Sequence, residues 1–381
     1  MAAPLPLPAL HATHAGIWLC GADGDPRAAP LAREVGRGEA IARAAETPHL
    51  ILNAPLIGHR LGYPDLSGLD LLELFAFIHP ARFAVPTAAG LCRALGLEAP
   101  SSEADSAASL PAMAGRLLAT LADSNWRERE GAWTANATLA RLGWGWAPLV
   151  SARLEQPERG ERMLFAHLAQ WEEAAERPPP RTIAIPPAAA QARLDELTGA
   201  ASEPREGQRA MAAAVTAVFA PKPGEGAPNL LLAEAGTGIG KTLAYLAPAS
   251  LWAEASGGTV WVSTFTKALQ RQLDAEGARL FAEPAERAKK IVIRKGRENY
   301  LCLLNLEDAM QGAFAGRAAI LAHLVGRWAA YTRDGDMVGG DLPGWLPRLP
   351  HRARSWLRRT VRDPLRRQGA AQHRRGPARR R

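Results

Sequence analysis

The first hundred positions alternate between short apolar runs and stretches of polar or small residues. Apolar runs at Gly16–Leu19 and His49–Leu56 predict strands. Apolar residues then recur at helical spacing over Leu69–Ile78 and again over Thr87–Leu95. Residues 1–100 are therefore predicted to form an α/β region.

The pattern changes twice over the next hundred positions. Pro100–Ser109 is rich in polar and small residues and predicts a linker. Residues 110–175 predict a helical segment, because leucines such as Leu117 and Leu121 share one helix face. Residues 176–190 are proline-rich and predict an extended connector. The remaining pattern predicts one further unit over residues 191–347.

Four tryptophans in the helical segment allow two interpretations. They could form a platform on which nucleic-acid bases stack. At helical spacing between leucines, such residues are more often part of a core, and we favour that interpretation. The four are Trp126, Trp133, Trp144 and Trp146.

A glycine-rich segment follows the apolar run Asn229–Ala233 and precedes a predicted helix from about Lys241 to Ala253. Strand, glycine-rich turn and helix start form the context of a phosphate-binding loop. Its glycines let backbone N–H groups surround phosphates, while the helix directs its positive end at the anion. The alternative is an ordinary glycine-rich turn. The predicted site for ATP and Mg²⁺ comprises Ala235, Gly236, Thr237, Gly238, Ile239, Gly240, Lys241 and Thr242, with Lys241 on the β/γ-phosphates and Thr242 on the magnesium ion.

Length and composition limit the number of domains and the cellular locations that fit this sequence. The 381 residues suit two or three domains, and no apolar stretch is long enough to span a membrane. The amino terminus lacks the pattern of a signal peptide. Three widely spaced cysteines argue against a disulfide framework and favour a reducing, cytoplasmic location.

The net charge of +8 is concentrated in residues 348–381, which contain 13 Arg, no Lys and one acid. The preceding residues therefore carry a small negative charge. The Arg-rich tail has three interpretations: a basic arm that binds nucleic-acid phosphates, a disordered tail, or a stretch translated out of frame. We favour the out-of-frame origin, because lysine is absent from the tail.

Further motifs accompany the glycine-rich loop. Arg205-Glu-Gly-Gln208 opens an apolar helix upstream of it. Downstream, a predicted strand at Thr259–Ser263 leads into Thr264-Phe-Thr-Lys267-Ala-Leu-Gln270. A second predicted strand at Ile291–Ile293 leads into Lys295-Gly-Arg-Glu-Asn-Tyr-Leu-Cys302. From about Arg205 to Asp341, this order resembles the DinG-type bacterial members of the XPD-like superfamily 2 DNA helicases.

The resemblance implies a role for each matching residue. Gln208 matches a glutamine that reads the adenine edge of ATP. Thr264, Thr266 and Lys267 match a motif that contacts the backbone of single-stranded or forked DNA, although an ordinary helix cap would look the same. Cys302 matches the first of four thiolates that bind a [4Fe–4S] cluster. An isolated cysteine of this kind is more often a core residue.

The sequence also departs from that family. No cysteine follows Cys302, so a [4Fe–4S] cluster is not expected to assemble. No Asp-Glu-x-His box follows the loop, and Asp195-Glu196, which precedes it, is predicted to be a solvated helix face. Two functions stay open: an ATP-dependent DNA helicase that is truncated here, and a non-catalytic remnant that binds nucleotide or DNA without turnover. We expect ATP to bind weakly or not at all, and DNA not to be unwound.

The expected fold is α/β throughout. The carboxyl half should contain an incomplete RecA-like parallel sheet, with strands at Leu230–Ala233, Thr259–Ser263 and Ile291–Ile293. The strand that would carry the acidic box is missing, so this sheet should have an exposed edge.

The amino-terminal region is similar to the proofreading-type 3′–5′ exonucleases, in the stretches Leu50–Ile57, Leu69–Leu74 and Ala88–Leu97. In that family, four carboxylates bind two metal ions. Here Asp70 is the one acid that could match, and Ile57 stands where a second would be. The region is therefore expected to be a degenerate exonuclease-like fold without nuclease activity, or an unrelated α/β segment.

Overall fold

A computed structural model describes residues 3–21, 32–64, 66, 68–157, 178–199, 205–222, 224 and 226–346. The Arg-rich tail lies outside the described residues, so its three interpretations stay open. The chain divides into two compact units. Unit 1 comprises residues 1–170 together with 295–381, and unit 2 comprises residues 171–294.

Unit 1 contains a mixed five-stranded sheet. Its strands are β1 (Ala9–Ala12), β2 (Ile17–Cys20), β3 (Ala32–Glu34), β4 (Leu50–Ile51) and β5 (Leu69–Asp70), in the order β3-β2-β1-β4-β5. β1 pairs antiparallel with β2, with Ala9 opposite Cys20, and parallel with β4, with Ala9 opposite Leu50. β5 continues the parallel half, with Leu50 opposite Leu69. The predicted α/β class is confirmed.

Fourteen α-helices are present in the described part of the chain. In unit 1 they begin with α1 (Arg37–Glu46), α2 (Ala54–Leu61), α3 (Leu71–Ile78), α4 (Ala88–Leu95), α5 (Glu103–Thr120), α6 (Ala132–Arg141) and α7 (Ala147–Ser151). Unit 2 contains α8 (Pro187–Thr198), α9 (Glu206–Val215), α10 (Lys241–Ser256), α11 (Lys267–Leu280) and α12 (Pro284–Lys290). The chain then returns to unit 1 with α13 (Leu303–Asp308) and α14 (Arg317–Tyr331). None of the described helices has the length and hydropathy needed to cross a membrane.

The prediction of a linker at Pro100–Ser109 is wrong. Helix α5 begins at Glu103, and the Ser102 hydroxyl caps it by accepting a hydrogen bond of 3.0 Å from the Asp105 backbone N–H. Ser106 and Ala107 are buried on the inner face of this helix. Small residues here serve close helix packing, whereas in the sequence they look like flexible chain.

Three of the four tryptophans of the helical segment are core residues, as favoured above. Trp126, Trp144 and Trp146 are each at most 5% exposed. Their indole N–H groups donate inward: Trp126 to the Ile78 carbonyl, Trp144 to the Glu73 carboxylate and Trp146 to the Asp70 carbonyl. Trp133 is only partly buried. Buried indoles with satisfied N–H groups fix helices α6 and α7 against α3.

The three predicted parallel strands of unit 2 are not formed. Residues 229–234, 258–264 and 291–296 are described by the structure and lie in no strand. Leu230, Leu232 and Trp261 are 81%, 89% and 82% exposed. A strand needs a neighbouring strand for its backbone hydrogen bonds, and the described residues of unit 2 form no strand. Its core is helical and is built from Leu194, Leu197, Ala212, Leu243, Ala244 and Ala247 of α8, α9 and α10.

The buried side chain of Arg327 anchors α14, the last described helix, to the rest of unit 1. Its side chain is 2% exposed and donates to three backbone carbonyls, those of Phe77, Glu128 and Glu130, at 2.7 to 3.1 Å. The guanidinium also lies 4.8 Å from the centre of the Phe77 ring. It therefore satisfies carbonyls from two separate chain segments at once.

We expect Arg327→Met to destabilise unit 1 by about 3 kcal/mol or more, because several buried carbonyls lose a charged donor. The measurement is urea unfolding followed by tryptophan fluorescence. Arg116→Met is the matched control, since Arg116 is an exposed arginine on α5. Equal unfolding midpoints for the two variants would contradict the role given to Arg327.

Candidate nucleotide-binding site

The glycine-rich loop leads directly into helix α10, which begins at Lys241 as predicted. Gly238 and Gly240 have φ angles of +82° and +88°, a conformation that side chains with a Cβ rarely adopt. These two residues turn the chain sharply into the helix. The loop therefore ends at a helix amino terminus, where free N–H groups and the helix dipole favour an anion.

Lys241 folds its side chain back over the loop. Its ammonium group donates to the Ala235 carbonyl at 2.9 Å and to the Gly236 carbonyl at 2.7 Å. Gly236, Thr237 and Gly238 are exposed, while Ile239 and Lys241 are partly buried. The charge that would bind the β/γ-phosphates is thus at the centre of the loop and is bonded to backbone oxygens of the loop itself.

Gln208 is brought to the loop from helix α9. Its side chain is 6% exposed, and its amide nitrogen donates to the Gly240 carbonyl at 2.9 Å. A Cβ at Gly240 would lie 2.3 Å from that nitrogen, so the contact requires glycine. The structure therefore places Gln208 in contact with the loop, although Gln208 and Gly240 are 32 residues apart in sequence.

Two residues without a role in the sequence interpretation also contact the site. The Arg205 guanidinium donates to the Gly238 carbonyl, and the Gln272 amide donates to the Thr242 hydroxyl at 3.4 Å. Gln272 lies on α11, so it connects the start of α10 with the helix after the Thr264–Lys267 segment. Arg205 is the first residue of a quoted motif, whereas Gln272 lies two residues beyond the quoted Thr264–Gln270 segment.

The Thr264–Lys267 segment forms the entry to helix α11. Thr266 is its N-cap, and the hydroxyl accepts a hydrogen bond of 3.2 Å from the Leu269 backbone N–H. The Thr264 hydroxyl is buried and has no hydrogen-bond partner among the described residues. Phe265 between them is fully exposed. Capping thus occupies Thr266 in this state, and Lys267 is the first residue of the helix.

Cys302 lies in unit 1, immediately before α13. The segment before it is tied to residues 335–338, since Leu301 N–H donates to the Gly335 carbonyl and Met337 N–H to the Asn299 carbonyl. Lys295 forms an ion pair with the buried Asp336. Cys302 is partly exposed, whereas Cys20 and Cys92 are buried.

The cysteine content does not fit a [4Fe–4S] cluster. Such a cluster takes four thiolates, and the sequence contains three cysteines, one on β2, one on α4 and one before α13. The described residues include no group of three or more His, Cys, Asp or Glu side chains able to hold a metal ion. Cys302 therefore has no set of ligand partners here.

Asp70, the candidate acid of the exonuclease-like region, is 2% exposed and has a structural set of partners. Its carboxylate accepts hydrogen bonds of 2.8 to 3.0 Å from the backbone N–H groups of Asn53, Ala54 and Leu72. It thereby joins the start of α2 to the start of α3. Ile57, where a second acid would stand, is buried on α2.

Glu73 lies one turn after Asp70 and is also buried. Burial raises its pKa to about 7, and the neighbouring Asp70 charge adds to this effect. Arg317 and the Trp144 indole act in the opposite direction. Near neutral pH this carboxyl group is therefore part protonated.

No family model matches this sequence, and no solved structure matches it. Several curated proteins are similar to part of the chain. The ATP-dependent DNA helicase YoaA of Escherichia coli (strain K12) is 43% identical over 153 residues, which are 38% of this chain and 22% of that protein. The ATP-dependent helicase DinG of Mycobacterium tuberculosis is 44% identical over 110 residues, 28% of this chain and 16% of that protein.

A third relative carries a different name. The 3′–5′ exonuclease DinG of Bacillus subtilis (strain 168) is 34% identical over 143 residues, 37% of this chain and 15% of that protein. The chain thus aligns with about a fifth or less of the length of each of these relatives.

We expect Gly240→Ala to loosen the Gln208 contact more than Gly238→Ala does. Both substitutions place a Cβ at positive φ, at a cost of about 1–3 kcal/mol each, but only the first also clashes with Gln208. Hydrogen exchange of α9, followed by mass spectrometry, should accelerate more in Gly240→Ala. Equal exchange in the two variants would contradict the contact.

We expect the stability of unit 1 to depend on pH through Glu73. Its pKa is about 7 when folded and near 4.5 as a free side chain, so between these values the folded chain keeps a proton that the unfolded chain has lost. This stabilisation is complete below the unfolded value and is lost as pH rises through the window, by at most about 3 kcal/mol.

The measurement is the melting temperature at intervals between about pH 5 and pH 8. The wild type should lose stability relative to Glu73→Gln as pH rises, because the variant cannot ionise at this position. Parallel curves for the two proteins would show that Glu73 does not titrate in this window.

Proposed function

We propose that this chain, which is homologous to the DinG and YoaA ATP-dependent helicases over about a third of its length, is the ATP-binding part of such a helicase. The proposal rests on the hydrogen bond that the Gln208 amide donates to the Gly240 carbonyl at the amino terminus of α10. A glutamine amide, a glycine-rich turn, a lysine and a helix amino terminus are the groups that a nucleoside triphosphate requires.

Each group has a chemical task in ATP binding. The exposed loop glycines give the triphosphate access to backbone N–H groups, and Lys241 adds a positive charge. The Thr242 hydroxyl, together with phosphate oxygens, would hold Mg²⁺, which neutralises the phosphates when bound. Gln208 would face the adenine edge, because a side-chain amide both donates and accepts.

Turnover needs more than these groups. Hydrolysis requires an acidic group that completes the magnesium site and orients the attacking water. The sequence after the loop contains no Asp-Glu-x-His box. We therefore propose that this chain binds ATP weakly and without hydrolysis. The alternative, an active ATP-dependent DNA helicase, predicts ATPase activity that single-stranded DNA stimulates, and that assay separates the two.

DNA is the proposed second ligand. The names of the relatives support it, and so does the position of Thr264–Lys267 at the entry to α11, beside the Gln272 contact with Thr242. The exposed Phe265 ring is available for stacking on an unpaired base. Single-stranded or forked DNA fits such contacts, because stacking and phosphate binding are independent of sequence.

We expect Lys241→Ala to raise the dissociation constant for Mg²⁺–ATP by about tenfold or more, because a charge-assisted phosphate contact is lost. Equilibrium binding of a fluorescent ATP analogue is the measurement. Lys222→Ala, an exposed lysine in the same unit, is the control. If both variants bind as the wild type does, Lys241 is not a phosphate ligand. If both lose affinity equally, binding is non-specific.

A further inference from the structure

The hydroxyl group of Thr242 contacts two side chains that the proposed ATP site does not use. Gln272 of α11 donates to it from the amide nitrogen at 3.4 Å. Tyr245 lies on α10, within one turn of Thr242. Burial raises the pKa of Tyr245, and its contact with the Thr242 hydroxyl acts in the opposite direction. Since Thr242 is the residue proposed to bind Mg²⁺, these two partners decide how its hydroxyl is oriented.

Helix α11 is held at both ends, and this brings Gln272 to the start of α10. Thr266 caps its amino terminus through the hydrogen bond to the Leu269 backbone N–H. Leu280, its last residue, is partly buried against the core of unit 2. Gln272 lies between these two points and reaches Thr242 from a separate helix. The contact is therefore a product of tertiary packing in unit 2, not of local helix geometry.

Metal coordination changes what a hydroxyl group needs from its neighbours. A lone pair of the oxygen goes to the cation, which draws electron density away and makes the O–H a stronger donor. The proton then requires an acceptor, and such partners of metal ligands set both their orientation and the affinity for the metal. No Asp-Glu-x-His box follows the loop, so a carboxylate from such a box is not available for this task.

Of the two partners of Thr242, Gln272 is the better acceptor. An amide carries a carbonyl oxygen beside its NH₂ group, and rotation about the Cγ–Cδ bond exchanges the two without moving the rest of the side chain. A phenol oxygen accepts less well, because its lone pairs are delocalised into the ring. Tyr245 is therefore suited to donate to the Thr242 hydroxyl, and Gln272 is suited to accept from it.

We propose that Gln272 is a positioning residue for Mg²⁺ at the ATP site. With Mg²⁺–ATP bound, its amide turns so that the oxygen accepts the Thr242 proton, and a lone pair of the hydroxyl is thereby directed at the cation. The inference rests on the proposed ATP site. It gives α11 a task in nucleotide binding that is separate from the proposed DNA contact at Thr264–Lys267.

The test compares the affinity of the full chain for ATP with and without the metal. A fluorescent ATP analogue is titrated in excess Mg²⁺ and again in EDTA, and the dissociation constant in EDTA is divided by that in Mg²⁺. In Gln272→Leu this ratio should fall about tenfold, the lower end for such partners, because water partly replaces the amide at this accessible position. The affinity in EDTA should match the wild type, since Gln272 acts through the metal ligand.

Further variants separate the acceptor role from its alternatives. Gln272→Glu keeps an acceptor at the same position and should retain at least the wild-type ratio. Tyr245→Phe tests the other partner of Thr242 and should lower the ratio less than Gln272→Leu does. Gln270→Leu is the matched control, because it removes a glutamine from a different face of the same helix. Melting temperatures establish that each variant is folded.

A wild-type ratio in Gln272→Leu would overturn the proposal. An equal loss of affinity in Mg²⁺ and in EDTA would do so too, because it indicates a general structural role of α11. A larger effect of Tyr245→Phe would assign the proton to the phenol instead. Wild-type binding that is measurable but independent of Mg²⁺ would overturn this inference and leave ATP binding intact. No measurable ATP binding would overturn the proposed function as well.

Discussion

The buried guanidinium of Arg327 is the interaction on which the architecture of unit 1 depends. Three carbonyls from the end of α3 and from the turn before α6 point at one side chain of α14. Without that donor, these oxygens would be buried and unsatisfied, and such groups destabilise a fold strongly. Helix α14 therefore completes a core that begins at β1. Unit 2 is inserted in the sequence between these two parts of unit 1.

This arrangement explains why the two units differ in character. Unit 1 has a sheet, three buried tryptophans whose indole N–H groups donate hydrogen bonds, and a large continuous core. Unit 2 has a small helical core, while apolar side chains such as Leu232 and Trp261 remain exposed in segments that form no strand. Helices satisfy their own backbone groups, but strands depend on neighbours. Helices α8 to α12 form in unit 2 for this reason, whereas the expected strands do not.

The sequence allowed prediction of the features that are local. Helices α3 and α4 follow from apolar spacing, and the start of α10 at Lys241 follows from the glycine-rich turn. Apolar periodicity also favoured a buried position for Trp144 and Trp146. Non-local features were out of reach, because nothing in the sequence around Arg327 or Arg317 indicates which distant carbonyl or carboxylate each would meet. The first part of helix α5, Glu103–Ser109, was assigned to a linker because alanine and serine suit a tightly packed helix and a flexible linker equally well.

The folded-back side chain of Lys241 has a thermodynamic consequence for any triphosphate that enters the loop. Its two bonds to the Ala235 and Gly236 carbonyls must break before the ammonium can turn to a phosphate. The observed affinity is then the intrinsic affinity multiplied by the fraction of molecules in which the lysine is already released. Any partner surface that offers those two carbonyls another donor would raise that fraction, and it would tighten nucleotide binding without touching the nucleotide.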